Sequence, residues 1–228
     1  MLNGGMGEKE NFMYHYIEDK DFLKRMKSLC SGIINQLVQS INNDSVMTVE
    51  AHLVGSGAKN LITQNANEPI DLDYNLCIVK VFGISFNDGI SIKKHIRKHF
   101  NTVLSNNGWS NCQDSTSALS TELRHFTKGN KTEFSIDLAI VRENNRGWER
   151  LIHNKTGIVA FDQWYWNEAP NSSDLDDKVY AIKDENLWLD VRELYLDKKN
   201  MYLRRGDHNH PSFIVYIETI NEIYNKYF

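Results

Sequence analysis

Two aspartates inside an apolar run constrain this chain more strongly than any other sequence feature. Asp71 and Asp73 stand in the stretch Ile70-Asp71-Leu72-Asp73-Tyr74-Asn75-Leu76-Cys77-Ile78-Val79. Successive side chains of a strand point to opposite faces, so both carboxylates should project from the same face of one strand. Adjacent carboxylates repel each other, and burying them without a partner is unfavourable. A hard divalent cation such as Mg²⁺ is a suitable partner, because it prefers oxygen ligands and keeps positions open for water and phosphate.

A glycine-rich turn precedes the two aspartates. Gly55-Ser56-Gly57 ends the apolar stretch from Val46 to Val54 and begins a short segment, up to Leu61, with helical character. Backbone N–H groups at such a turn can bind an anion, and small residues let a phosphate approach closely. No Gly-Lys-Ser/Thr follows, which argues against a P-loop. A phosphate site beside a carboxylate pair suggests phosphoryl or nucleotidyl transfer.

A third acid lies in a later predicted strand. The segment Phe134-Ser135-Ile136-Asp137-Leu138-Ala139-Ile140-Val141 alternates in character and carries Asp137 in its middle. The preceding segment, 121–127, is separated from it by Lys128-Gly129-Asn130-Lys131, a pattern that predicts a β-hairpin. We therefore expect Asp137 to lie within reach of Asp71 and Asp73.

The order Gly55-Ser56, Asp71-Leu72-Asp73 and then Asp137 resembles the nucleotidyltransferase superfamily of the DNA polymerase β type. The resemblance covers about the first two thirds of the chain. It implies an α/β (α+β) fold in which a mixed β-sheet flanked by helices carries the three acids. It also implies that Asp71, Asp73 and Asp137 are the catalytic residues and bind two Mg²⁺ ions, while Gly55, Ser56 and Gly57 hold the β- and γ-phosphates.

The reaction implied by this resemblance is transfer of a nucleoside monophosphate from a nucleoside triphosphate, for example ATP, to a hydroxyl acceptor, with release of pyrophosphate. Asp137 would share the ion that activates the acceptor hydroxyl, or would act as the general base. The spacer at 60–69 lacks the second Ser or Thr and the Gly that related members often carry there. The subfamily therefore stays open between aminoglycoside or lincosamide adenylylation, oligonucleotide or cyclic dinucleotide synthesis, and toxin-like modification of RNA or protein.

Lysines supply further candidates for phosphate binding. Lys59 follows Ser56 by about one helical turn and could contact phosphate. Lys198 and Lys199 lie on a predicted C-terminal helix, and in related enzymes a basic residue of that region contacts the triphosphate; of the two, we select Lys198. Each of these lysines could equally be a solvated surface residue.

Hydrophobic periodicity divides the chain into two regions. Amphipathic helices are predicted over 19–42 and from Asp88 to about Leu104, between the predicted strands. Beyond Trp164-Tyr165-Trp166 and a turn at 169–173, the sequence predicts three helices. His208-Asn209-His210, directly before Pro211, predicts a capping loop rather than a metal site. We therefore expect a nucleotidyltransferase catalytic domain at 1–160 and a helical C-terminal domain at 161–228 that closes a cleft over the acids.

Composition narrows the partners and the compartment. The 228 residues carry a formal net charge of −4, which does not favour long nucleic acid as a partner. Cys30, Cys77 and Cys112 are an odd number without a close pair, as is typical of a reducing compartment. The N-terminus lacks a signal-peptide layout, and no apolar run is long enough to span a bilayer. We expect a cytoplasmic enzyme that acts without a membrane. The alternative is a catalytically inactive nucleotide-binding or regulatory module on the same fold, although such a module should lose one of the three acids.

Overall fold

A computed structural model describes residues 13–145, 147–168, 173–207 and 211–228. Most of the turn predicted at 169–173 and the whole capping loop predicted at 208–210 lie outside these residues. The described elements, in chain order, are β1 (Tyr14–Tyr16), α1 (Lys20–Asn42), β2 (Met47–Leu53), α2 (Gly55–Lys59), β3 (Thr63–Asn65), β4 (Ile70–Val81), α3 (Gly89–Asn106), β5 (Gln113–Asp114), β6 (Leu119–Ser120), β7 (Phe134–Asn144), β8 (Gly147–Asn154), β9 (Gln163–Glu168), α4 (Ser173–Asp184), α5 (Trp188–Arg204) and α6 (Ser212–Tyr227).

A seven-stranded mixed sheet organises the larger part of the described chain. Its strands run in the order β2-β4-β7-β6-β5, and β8 pairs with both β7 and β9. The central pair, β4 and β7, is parallel, whereas the other pairs are antiparallel. The predicted hairpin before β7 is reduced to the two residues of β6 and a single bridge from Arg124 to Phe134. The sheet and its helices confirm the predicted α+β class.

Two amphipathic helices pack in this part of the molecule, as their periodicity predicts. The N-cap carboxylate of Asp19 accepts a hydrogen bond from the Phe22 N–H, and Asp88 does the same for the Ser91 N–H. Helix α1 contacts β2 and α3. The buried residues of the two helices recur every three to four positions; they are Phe22, Met26, Cys30, Ile33, Ile34, Leu37 and Ile41 in α1, and Ile92, Ile96, Phe100, Val103 and Leu104 in α3. Among the described residues, no helix is long and apolar enough to cross a membrane.

The chain separates into two compact units that are not continuous in sequence. One unit comprises residues 18–62 and 69–173 and holds the seven-stranded sheet with α1, α2 and α3. The other comprises residues up to Ile17, 63–68 and 174–228, and holds α4, α5 and α6 with the small β1-β3 sheet. Strand β9 pairs with β8 and so joins 163–168 to the large sheet, while the division into a catalytic domain at 1–160 and a helical domain at 161–228 stays a prediction.

The helical unit is held together partly by one buried amide. Asn200 on α5 is only 4% exposed. Its Oδ1 accepts a hydrogen bond from the Tyr14 N–H at 2.7 Å, and its Nδ2 donates to the Tyr14 carbonyl at 3.0 Å. The amide thereby satisfies both backbone groups of a strand residue, which explains how a segment before α1 becomes part of a unit built from the last three helices.

The end of α1 is tied to β2 by a second amide. Strand β2 carries a register irregularity between Thr48 and Val49. There the Asn42 side chain accepts from the Val49 N–H at 2.8 Å and donates to the Val49 carbonyl at 3.1 Å. The contact fixes the start of the strand that leads into the Gly55 turn.

Replacing Asn42 by Ala should therefore destabilise the fold by about 1–2 kcal/mol, because it leaves both Val49 backbone groups without their partner. The neighbouring Asn43→Ala variant is the matched control and should stay within about 0.5 kcal/mol of the wild type. The measurement is urea unfolding followed by circular dichroism. Equal destabilisation by the two variants would contradict the role of the Asn42 side chain in holding the Val49 backbone.

Candidate active site

The three predicted acids lie on one face of the sheet. Asp71 and Asp73 occupy alternate positions of β4, and in the parallel pairing with β7 Asp73 is in register with Asp137. In-register residues of neighbouring strands are about 4.8 Å apart and point to the same face. The structure therefore brings together the side chains that the sequence analysis selected from two distant strands.

The chemistry of these carboxylates fits Mg²⁺. All the donors are oxygens, which Mg²⁺ prefers to nitrogen or sulfur. Although all three acids are among the described residues, they do not form a group in which one ligand atom from each lies within 4.8 Å of the other two. Binding of two Mg²⁺ ions by these acids stays a prediction.

Loss of solvation, followed by repulsion between the acids, raises the pKa of two of the three aspartates. Loss of solvation, and next the charges of Asp137 and Asp71, raise the pKa of Asp73 to about 6, against a smaller opposing effect of Arg150. Loss of solvation also raises the pKa of Asp137, to which Asp71 contributes. Asp73 is nevertheless exposed, so solvent screens part of this effect.

Two serines orient Asp71 and Asp137, and neither serine was predicted from the sequence as part of the site. Ser135 Oγ donates to Asp71 Oδ1, and Ser120 forms a side-chain hydrogen bond with Asp137. Ser135 could have been found from the sequence, because it precedes Asp137 by two residues and so shares its face. Ser120 lies opposite Asp137 in the antiparallel β6-β7 pair, a register that no local pattern reveals.

The glycine turn lies directly against the acids. Gly55 has φ of +61°, and a Cβ atom at this position would lie 2.6 Å from Asp73 Oδ2. The preceding Val54 N–H donates to the Asp73 carbonyl at 2.9 Å. Only glycine combines this backbone conformation with so close an approach. The predicted neighbourhood of the Gly-Ser turn and the Asp-x-Asp strand is thus present in the structure.

Gly57 and a lysine of α1 hold the rest of the turn in place. A Cβ atom on Gly57 would lie 3.0 Å from Leu72 Cδ2, so the glycine lets α2 pack onto β4. Lys27 Nζ donates to the Gly57 carbonyl at 2.6 Å and to Asn60 Oδ1 at 3.2 Å. Loss of solvation lowers the pKa of Lys27. The lysine therefore anchors the far end of α2, a role that its position on a helix does not reveal from sequence.

The candidate phosphate-binding lysines lie in different units. Lys59 is the last residue of α2, in the same unit as the acids. Lys198 lies on α5 of the helical unit, where its Nζ is 2.9 Å from Glu222 Oε2. Its neighbour Lys199 donates to Thr63 Oγ1 at 3.0 Å, and burial lowers the pKa of Lys199 to about 8. Phosphate binding by Lys59 and Lys198 remains a prediction.

The fold matches solved structures, although sequence comparison alone finds no relative. No protein-family model and no curated protein matches the sequence. The Vibrio cholerae cyclic AMP-GMP synthase DncV, in complex with the linear intermediate 5′ pppA(3′,5′)pG, matches over 90% of this chain and 68% of its own, with a TM-score of 0.60 and 9% identity. CdnC of E. coli MS115-1 with ATP matches over 93% of this chain and 62% of its own, with a TM-score of 0.59 and 14% identity. The Elizabethkingia meningoseptica cyclic dinucleotide synthase CdnE with GTP and Apcpp covers 87% and 70%, with a TM-score of 0.51 and 12% identity.

The chain spans 60% to 70% of the length of the structures that it matches. At these identities the match concerns the fold. The matched structures include a cyclic AMP-GMP synthase and a cyclic dinucleotide synthase. This chain has the fold of these synthases, which agrees with the α+β fold that the Gly55-Ser56, Asp71-x-Asp73 and Asp137 motifs predict.

Proposed function

We propose that this chain is a Mg²⁺-dependent nucleotidyltransferase that moves a nucleoside monophosphate from a nucleoside triphosphate to a hydroxyl acceptor and releases pyrophosphate. The observation that carries the proposal is the register of β4 and β7, which sets Asp73 beside Asp137 while Gly55 lies against Asp73. The three carboxylates form a centre that attracts cations, and the pKa values of Asp73 and Asp137 are raised. The adjacent turn consists of small residues, which let a phosphate approach its backbone. The fold of the matched structures supports the same reading.

Each residue of this centre has a task in the proposed reaction. Asp71, Asp73 and Asp137 would hold two Mg²⁺ ions, which when bound neutralise the triphosphate and lower the pKa of the acceptor hydroxyl. The amides of Gly55, Ser56 and Gly57 and the Ser56 hydroxyl would donate to the phosphate oxygens.

The surrounding residues prepare these groups. Ser135 and Ser120 fix the carboxylates of Asp71 and Asp137, so that little reorganisation is needed when the substrate arrives. The raised pKa of Asp137 suits a group that accepts the proton of the acceptor hydroxyl. Lys59 and Lys198 are proposed as additional contacts to the triphosphate.

For the acceptor, we propose the hydroxyl of a second nucleotide. The matched proteins are cyclic dinucleotide synthases, one of them bound to a linear dinucleotide intermediate. A small acceptor also agrees with the net charge of −4, which does not favour long nucleic acid. We place the reaction in the cytoplasm, where nucleoside triphosphates are available and where the three free cysteines stay reduced.

The decisive experiment offers the full chain each nucleoside triphosphate, alone and in pairs, with Mg²⁺. Pyrophosphate release and a dinucleotide in the mass spectrum are expected. Labelled triphosphate with a cell extract tests the other acceptors. Mg²⁺-dependent triphosphate binding without pyrophosphate release in any mixture would favour the inactive regulatory module instead.

Replacing Asp71, Asp73 or Asp137 by Asn should lower the rate of pyrophosphate release by at least about 100-fold, because each change removes an anionic ligand worth several kcal/mol in the transition state. Chelation of Mg²⁺ by EDTA should abolish the activity of the wild type. Glu50→Gln, which changes an exposed acid of β2, is the control and should keep full activity. A variant that lacks one of the three acids yet retains its rate would exclude that acid from the reaction.

Replacing Gly55 by Ala should inactivate the enzyme through its effect on Asp73. The new methyl group would displace a carboxylate oxygen 2.6 Å away, and misplacement of about 1 Å can lower a rate about 100-fold. Gly108→Ala is a close control, because Gly108 also has positive φ, +72°, but nothing within 4 Å of the added Cβ. Both variants should lose about 1–2 kcal/mol of stability, and only Gly55→Ala should lose activity. Comparable activity of the two variants would refute the contact with Asp73.

Without metal, ionisation of Asp73 should destabilise the folded chain. Its pKa is about 6 in the folded chain and about 3.8 in an unperturbed aspartate, so the folded state holds the proton more tightly and loses stability as the pH rises through 6. Asp73→Asn should raise the melting temperature in EDTA at pH 8 by about 2–4 °C, since solvent contact limits the effect to about 1 kcal/mol. This gain should shrink as the pH falls from 6 towards 4. Mg²⁺ should raise the melting temperature of the wild type more than that of Asp73→Asn. A larger rise for the variant would contradict repulsion between the acids.

A further inference from the structure

A second group of metal-binding side chains lies in the sheet unit, apart from the three aspartates. Asp44 occupies the turn between α1 and β2, and His95 and His99 lie one turn apart on α3. Asp44 Oδ2 is 2.8 Å from His95 Nε2 and 2.9 Å from His99 Nε2. One ligand atom from each residue lies within 4.8 Å of the others. Two segments distant in sequence therefore direct two imidazole nitrogens and a carboxylate oxygen at one point.

These side chains are largely withdrawn from solvent. His95 and His99 are each 17% exposed and Asp44 is 26% exposed. His95 Nε2 is fully buried and faces Asp44 Oδ2. Attraction between Asp44 and the imidazole groups accounts for the short distances. The three side chains therefore face one another with little access of water.

Neighbouring groups can support two of the three side chains as metal ligands. Ser40 Oγ lies 2.8 Å from His99 Nδ1. When an ion is bound, the hydroxyl can accept a hydrogen bond from Nδ1 and so leave the lone pair of Nε2 for the metal. The second carboxylate oxygen of Asp44 accepts from the Val46 N–H at 3.0 Å, so the first stays directed at the histidines. Hydrogen bonds of this kind, from the far side of each ligand, are typical of metal centres.

We propose that Asp44, His95 and His99 bind one transition-metal ion of the Zn²⁺ class, with the remaining coordination position open to water. Two histidines at i and i+4 on one helix face are a recurrent zinc-binding arrangement, and a carboxylate completes a three-residue ligand set. Tetrahedral bonds of about 2.05 Å separate ligand atoms by about 3.3 Å. The present separations of 2.8 and 2.9 Å need to open only slightly to admit the ion.

This centre is independent of the proposed nucleotidyltransferase chemistry. Asp44 precedes β2 and the Gly55 turn follows it, so the seven residues of that strand place the two centres about 20 Å apart. An ion here would cross-link α3 to the turn after α1. We therefore expect it to stabilise the sheet unit.

The test is a Zn²⁺ titration of the metal-stripped full chain against a chromophoric chelator. One Zn²⁺ per chain should bind and raise the melting temperature. His95→Gln and His99→Gln should each weaken the affinity by at least about 100-fold, and Ser40→Ala, which removes only the supporting hydroxyl, by about 10-fold. Co²⁺ in place of Zn²⁺ should give a visible spectrum of low-symmetry coordination that disappears in His99→Gln.

Two controls separate this centre from others. His125→Gln removes an exposed histidine and should leave the Zn²⁺ affinity unchanged. Asp71→Ala should also leave the Zn²⁺ affinity unchanged, even though it should abolish the proposed transferase activity. Circular dichroism establishes that each variant is folded. If a histidine variant does not fold, the Zn²⁺ affinity of Ser40→Ala still tests the proposal. Absence of tight Zn²⁺ binding, or binding that survives both histidine substitutions, would overturn the proposal and leave the three residues as an ion-pair cluster.

Discussion

Parallel pairing of β4 with β7 is the interaction on which the candidate active site depends. It sets Asp73 beside Asp137, and a slip of one residue would turn Asp137 to the other face of the sheet. The register is fixed from the opposite face, where Leu72 and Ile136 are paired and both fully buried. Moving that pair out of register would expose apolar side chains to water. The core therefore determines where the carboxylates meet, and the free energy of packing opposes their mutual repulsion.

The parts of the site that can be predicted from sequence have local signals. Asp71 and Asp73 are two residues apart in an apolar run, so a strand gives them a common face whatever lies next to it. The helices α1 and α3 are equally local, because periodicity and the capping residues Asp19 and Asp88 define them. Asp137 is an intermediate case: alternation places it in a strand, but only a hairpin with the preceding segment was predicted for that strand, and its parallel pairing with β4 was not.

Contacts between distant segments have no local signal in the sequence. Lys27 lies on a helix, and nothing near it in sequence shows that its amine holds the Gly57 carbonyl. The three residues of β3 join the helical unit by pairing with β1, although both neighbouring elements along the chain belong to the sheet unit. No strand was predicted at 163–168, where an edge strand with only partly buried aromatic residues gives a weak alternating signal. Long-range hydrogen bonds, rather than propensity, decide these positions.

Donor chemistry distinguishes the two proposed metal centres. The aspartate centre offers only oxygens, held apart by repulsion and by serine hydroxyls, and such a set favours a hard ion that retains water and phosphate ligands. The Asp44 centre offers two imidazole nitrogens, which bind Zn²⁺ far better than Mg²⁺. Each centre also has a supporting serine: Ser135 Oγ donates to Asp71 Oδ1, and Ser40 Oγ lies within hydrogen-bond distance of His99 Nδ1. A chain with both centres can hold a catalytic ion that exchanges with substrate and a structural ion that does not, because different ligands select them.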